Sequence, residues 1–184
     1  TVILATQSAL LQRDGDIVGI DGLSNLFFTL PSKPYYVTIK HRSHLGIMTL
    51  NPVTLSLSPT TVDFSDANNQ ITYGANAQTI SGLQNGVVAM WSGDVNNDGI
   101  IQYTGTNPDS PSILSEVLND SGNFLNFTTY VVNGYNNNDI DMDSRTQYTG
   151  TAPDTPYILQ NVLAHPGNFL NFSTYQIIEQ LPEN

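Results

Sequence analysis

Two short stretches place oxygen-bearing side chains at alternate positions, which is the spacing that gathers a hard cation. In Asp94-Val95-Asn96-Asn97-Asp98-Gly99-Ile100-Ile101, the oxygens of Asp94, Asn96 and Asp98 at positions 1, 3 and 5 of a tightly wound loop converge on one point. Gly99 at position 6 permits the sharp turn, Ile100 at position 7 offers its main-chain carbonyl, and Ile101 at position 8 is an apolar anchor. Oxygen donors at this density suit Ca²⁺, which takes about six to eight of them, better than Zn²⁺, which prefers nitrogen and sulfur. The second stretch supplies Asp139, Asp141 and Asp143 at positions 1, 3 and 5, with the carbonyl of Arg145 at position 7. There Ser144 stands at the turn and Thr146 at the anchor. A left-handed Ser144 costs about 1 kcal/mol more than glycine. The expectation is two Ca²⁺ sites.

Both stretches open like an EF-hand loop but do not close like one. Position 12, normally a bidentate carboxylate, is Gly105, and the next acid is Asp109, whose counterpart is Asp154. An insertion of four residues within 103–108 is expected to bulge out so that Asp109 closes the first site, and Asp154 the second. The other reading is that both acids only favour the start of a following helix, where a carboxylate complements the helix dipole.

These loops belong to an internal repeat. Gln102-Tyr103-Thr104-Gly105-Thr106 returns 45 residues later as Gln147-Tyr148-Thr149-Gly150-Thr151, and residues 102–130 match 147–175 at 20 of 29 positions without a gap. Each copy predicts a short helix entered at Ser110-Pro111 or Thr155-Pro156, since proline suits a first helical turn. Ile113, Leu114, Val117 and Leu118 share one helical face, as do Ile158, Leu159, Val162 and Leu163. The two units are expected to pack face to face, with Phe124/Phe127 and Phe169/Phe172 capping a shared core. The alternative is two helices packed separately on the first half of the chain.

That first half follows a different pattern. Val37 and Ile39, and then Val53, Leu55 and Leu57, alternate with polar residues, and Asp14-Gly15, Asp21-Gly22, 31–34 and Tyr73-Gly74 mark turns between such runs. Thr1–Thr6 is also strand-like. The predicted fold class is α+β multidomain: an antiparallel β-sandwich, immunoglobulin-like or prealbumin-like, over 1–85, then a small helical module with two calcium loops over 86–184. The chain has 184 residues, 39% of them apolar. It carries 5 Lys+Arg against 16 Asp+Glu, a net charge of −11, and no cysteine. This balance argues against nucleic acid and anionic membranes, whose binding needs cationic clusters. Without cysteine there are no disulfides or thiolate metal sites, and a bound metal is the remaining staple for a small extracellular domain. No apolar run approaches a membrane span. The lack of an initiator Met and of a leader-like segment is read as a processed protein or a C-terminal fragment.

The two calcium loops, each followed by one helix and spaced about 45 residues apart, resemble a type I dockerin-like module. The whole chain resembles the C-terminal regions of hemagglutinin- or adhesin-like surface proteins of type IX-secreting bacteria. The residues 9–16 (Ala-Leu-Leu-Gln-Arg-Asp-Gly-Asp), 41–46 (His-Arg-Ser-His-Leu-Gly) and 179–182 (Glu-Gln-Leu-Pro) carry that resemblance. It implies export to the cell surface, partnership with other domains of the same large protein, and, as an alternative, a C-terminal signal recognised by the secretion machinery. A third reading is a module that docks a second protein through an exposed apolar helix face. Residues 30–41 also resemble the strand after a Pro turn in carboxypeptidase-regulatory-like sandwiches.

Other residues carry blander expectations. His41 and His44, three apart on a strand, would point to opposite faces and not share an ion. Lys40, His41 and Arg42, the one basic cluster, form a solvated face or pair with a carboxylate of a partner or neighbouring domain. Trp91 packs at a domain junction or stacks on a sugar. The glycosylation-like triplets at Asn126 and Asn171 are explained by the repeated core motif. No nucleophile elbow, His-Glu-x-x-His or Gly-rich phosphate loop is present, so no enzyme is expected.

Overall fold

The structure, a computed structural model, describes residues 2–12, 14–66 and 72–182. Arg13 of the 9–16 motif lies outside them. The chain is α+β; the described residues form short antiparallel strand pairs and, in the second half, two helices.

In the first half the strands are β1 (Leu10–Leu11), β2 (Ile17–Val18), β3 (Lys33–Tyr35), β4 (Thr38–Ile39), β5 (Ile47–Met48), β6 (Val53–Leu55), β7 (Gln78–Thr79) and β8 (Ala89–Met90). They pair two by two, β1 with β2, β3 with β6, β4 with β5 and β7 with β8. Among the described residues no sheet exceeds two strands, so the facing sheets of a sandwich are not formed by them. Segments of two or three residues cannot present the long alternating face that a sandwich core requires. Leu57, read as inward-facing, is 93% exposed, and 2–6 forms no strand. The buried apolar residues here are Tyr35, Leu45, Ile47, Met48 and Ala77.

The second half adds β9 (Ile100–Gln102), α1 (Ser110–Asn119), β10 (Val132–Asn133), β11 (Arg145–Thr146), α2 (Thr155–Ala164) and β12 (Gln176–Ile178). Both helices begin at the expected Ser-Pro and Thr-Pro steps. The repeats interlock by exchange. The strand after α2, β12, pairs with β9 of the first loop, and the strand after α1, β10, pairs with β11 of the second. α2 packs on β9 and α1 on β11, and the helices also touch each other.

One cluster joins Leu45, Trp91, Val95, Ile101, Ile113, Ile140, Ile158, Val162 and Ile177. The paired positions Val95/Ile140, Ile113/Ile158 and Val132/Ile177 are buried in both repeats. Neither unit could hide its stripe alone, and crosswise packing buries both. The stripe is narrower than expected. Ile113, Val117, Ile158 and Val162 are fully buried, Leu114, Leu118 and Leu159 are half-buried, and Leu163 is exposed.

The phenylalanines do not cap this core. Phe124 and Phe169 are each 82% exposed, and Phe127 and Phe172 are also exposed. Their inward place is taken by the buried amides of Asn123 and Asn168. Asn123 Nδ2 donates to the carbonyls of Val117 and Phe127 while its Oδ1 accepts the Phe127 amide, and Asn168 repeats this with Val162 and Phe172. A side chain that satisfies three backbone groups fixes the turn after each helix, with Asn126 and Asn171 left-handed at its corner (φ 54° and 55°). The aromatic rings are thereby held outward. Among the described residues no helix is long and apolar enough to cross a membrane.

Candidate metal centres

Both loops wind as their spacing requires. Positions 4 and 6 are left-handed in each: Asn97 and Gly99 at φ 58° and 79°, Met142 and Ser144 at 61° and 69°. Ser144 thus adopts the conformation glycine holds in the other copy, at the cost anticipated from its Cβ.

In the first loop the Asp98 amide donates to Asp94 Oδ1 and Asn96 Oδ1, both at 3.0 Å, and the Gly99 amide donates to Asp94 Oδ2 at 3.0 Å. The Ile100 amide donates to Asp98 Oδ1, and the Asn107 side-chain amide holds Asp98 Oδ2. In the second loop the Asp143 amide reaches Asp141 Oδ1 and the Ser144 amide reaches Asp139 Oδ2, each at 3.2 Å. One oxygen from each of Asp139, Asp141 and Asp143 lies within 4.8 Å of the others. Asp139 is wholly buried and its Oδ1 has no hydrogen-bond partner, whereas Asp141 and Asp143 are exposed. Ile100 and Arg145 stand where each loop becomes a strand, in β9 and β11.

Asp109 and Asp154 lie beneath the loops. Residues 104–107 bulge into solvent and Asp109 returns to the interior at 0% exposure. Each acid occupies the position before its helix but makes no side-chain cap. Instead, Asp109 Oδ1 accepts the Val95 amide at 3.0 Å and Oδ2 the Gln102 amide at 2.8 Å. Asp154 does the same with Ile140 at 2.7 Å and Gln147 at 2.9 Å. Each carboxylate therefore ties the two ends of its loop to the start of its helix. Asp154 is not one of the carboxylates grouped within 4.8 Å in its loop. With two amides bound, each still has lone pairs for a cation.

Burial raises these acids. It pushes Asp109 up to about 7 and Asp154 up to about 6, and it also raises Asp94 and Asp139. Between pH 4 and 7 these carboxylates bind more protons in the metal-free fold than in the unfolded chain, so their contribution to stability falls as pH rises through that window, while burial of His44, held down to about 3, contributes with the opposite sign. Cation binding runs the other way, because the carboxylates must be ionised to ligate. In chelator, the melting temperature of the wild type relative to Asp109→Asn is expected to fall between pH 4.5 and pH 7.5, and calcium affinity to rise over the same interval. A difference between wild type and Asp109→Asn that grows with pH would contradict the burial argument.

The turn 41–46 wedges against both loops. The Ser43 carbonyl accepts the amides of Gly93 and Asp94 at 2.7 and 3.0 Å. The largely buried Arg42 guanidinium stacks on the Tyr135 ring, donates to the Asn136 carbonyl and stands 3.8 Å from Asp139 Oδ2. Lys40 pairs with Glu179 at 3.0 Å, and Glu179 also accepts the Gly46 amide. The basic cluster is thus engaged by carboxylates of the second half. Its arginine serves the loop that has an aspartate, Asp141, where the first has Asn96. One signal for this is legible in the residues themselves, a single basic cluster in a strongly acidic chain.

Trp91 is 1% exposed and donates from Nε1 to the Asn76 carbonyl at 2.8 Å, so its indole faces packed protein and not a sugar. No protein-family model matches the chain, and no curated protein or solved structure gives a significant match.

Proposed function

We propose that the second half is a dockerin-like tandem calcium module and that the protein is a non-enzymatic, calcium-stabilised region of an exported, cell-surface adhesin-like protein. The observation that carries this reading is the twofold occurrence of one arrangement: a left-handed oxygen loop with a buried aspartate beneath it joining loop to helix. The residues fit a hard cation. Asp139 Oδ1 is buried without a partner, and the buried acids are destabilised as anions by burial, which a divalent ion relieves. Asp94, Asn96, Asp98, the Ile100 carbonyl and Asp109 would hold one ion. Asp139, Asp141, Asp143, the Arg145 carbonyl and Asp154 would hold the other. Extracellular calcium fills even sites with Kd on the order of 10⁻⁴ to 10⁻³ M, so a surface location and loops of this kind suit each other. The natural partners are other domains of the same surface protein.

Titration calorimetry with CaCl₂ tests this. Two ions per chain are expected, with Asp94→Asn and Asp139→Asn each abolishing one site. A chain that takes up no calcium at millimolar concentration overturns the reading.

A second reading, docking of another protein, is favoured by the Phe-Leu-Asn-Phe turns, which expose Phe124, Leu125, Phe169 and Leu170 at 82%, 59%, 82% and 58%. Apolar groups held outward by a rigid turn in both repeats are a feature of interaction sites more than of solvated surface.

A further inference from the structure

His41 and His44 do not lie on a strand with opposed side chains. Residues 41–44 form a turn closed by the His44 amide on the His41 carbonyl at 2.9 Å, and the turn brings both rings to one side. Their Nδ1 atoms are 3.1 Å apart and their ring centres 4.8 Å apart, with the planes inclined at 64°. A head-on N–H···N bond at that nitrogen separation would hold the centres about 5.4 Å apart. The observed pair of separations is shorter than that linear arrangement and matches the spacing of two imidazoles converging on one point about 2.1 Å from each nitrogen, at an angle of roughly 95°, which are metal–imidazole dimensions.

We propose that His41 Nδ1 and His44 Nδ1 form a bidentate site for a borderline transition-metal ion of the Zn²⁺, Ni²⁺ or Cu²⁺ class, separate in chemistry from the oxygen loops. Imidazole nitrogen selects these ions over calcium. The Tyr135 hydroxyl lies 3.1 Å from His41 Nε2. A proton on that nitrogen leaves the Nδ1 lone pair directed at the shared point, the usual role of an outer partner to a ligating histidine. Burial holds His44 uncharged, down to about 3. Both rings line a cavity of about 420 Å³ bordered by the carboxylates of Asp94, Asp98 and Glu179, which leaves room for water at the remaining coordination positions. The neighbouring Arg42 charge is directed to Asp139.

The test uses the full chain with calcium in millimolar excess, so that hard-oxygen sites are not free to take the probe. Zn²⁺ titrated in this background is expected to bind with one ion per chain. His41→Ala, at a half-buried position, is expected to weaken that binding at least 10-fold with melting unchanged, while Tyr135→Phe, which keeps both ligands, weakens it by about 10-fold. Cu²⁺ at the site should show an electron paramagnetic resonance spectrum with two nitrogen couplings, and one in His41→Ala. The proposal is overturned if no Zn²⁺ binds, if binding is the same in His41→Ala, or if the wild-type copper spectrum lacks nitrogen coupling. The spectrum decides the matter even where a His44 variant does not fold.

Discussion

Adding calcium to the metal-free chain is expected to raise its melting temperature by about 10–20 °C. Each site filled 100-fold above its Kd contributes about 2.7 kcal/mol, so two contribute about 5 kcal/mol. For a chain of this size, each kcal/mol shifts the midpoint by about 2–4 °C. The helices should report the change as strongly as the loops. α1 and α2 are each tied to a loop through Asp109 and Asp154, and each loop strand is paired with the strand that follows the other repeat's helix. Loosening one loop therefore loosens both repeats. A calorimetric scan with parallel helix-band circular dichroism, in CaCl₂ and in chelator, measures this. Unchanged melting and unchanged helix signal in chelator would remove calcium as the staple of this fold.

The second large effect is expected from Asp109→Ala. The substitution strips the Val95 and Gln102 amides of their acceptor in the interior. An unsatisfied buried donor costs about 1–3 kcal/mol, so the expected loss in chelator is about 2–4 kcal/mol, with relief of carboxylate burial moderating the sum. In calcium the first site is lost as well. Asp154→Ala should behave alike, since its contacts to Ile140 and Gln147 are the same. If these acids only favoured helix starts, the loss would be about 1 kcal/mol. Urea unfolding of the three proteins, with and without calcium, separates the two cases.

Loop and helix geometry was legible locally. Asp94 to Ile101 specifies a turn with left-handed positions through residues in direct contact, and the Ser-Pro and Thr-Pro steps set the helix starts within one turn. The return of Asp109 past an exposed bulge was legible because the repeat showed where the next acid had to be. The phenylalanines and the histidines depart from expectation for two separate reasons. Apolar residues are often exposed, and the informative feature of each aromatic turn was the asparagine beside them, which a hydrophobic pattern does not weigh. The histidines were assigned to a strand from Val37 and Ile39, but pairing of β4 with β5 ends that strand at Ile39 and turns the chain at residues 41–44.

By itself, the sequence determined the repeat, the two oxygen loops, the helices they lead into and the inward positions Ile113, Val117, Ile158 and Val162, because each depends on neighbours a few residues away. Only the tertiary structure decided that β9 pairs with β12 and β10 with β11, that the 41–46 turn wedges against both loops, and that the first half forms separate strand pairs. Those outcomes join segments far apart in the chain, where the choice depends on which surfaces together exclude water and satisfy buried polar groups, and no local pattern encodes that choice.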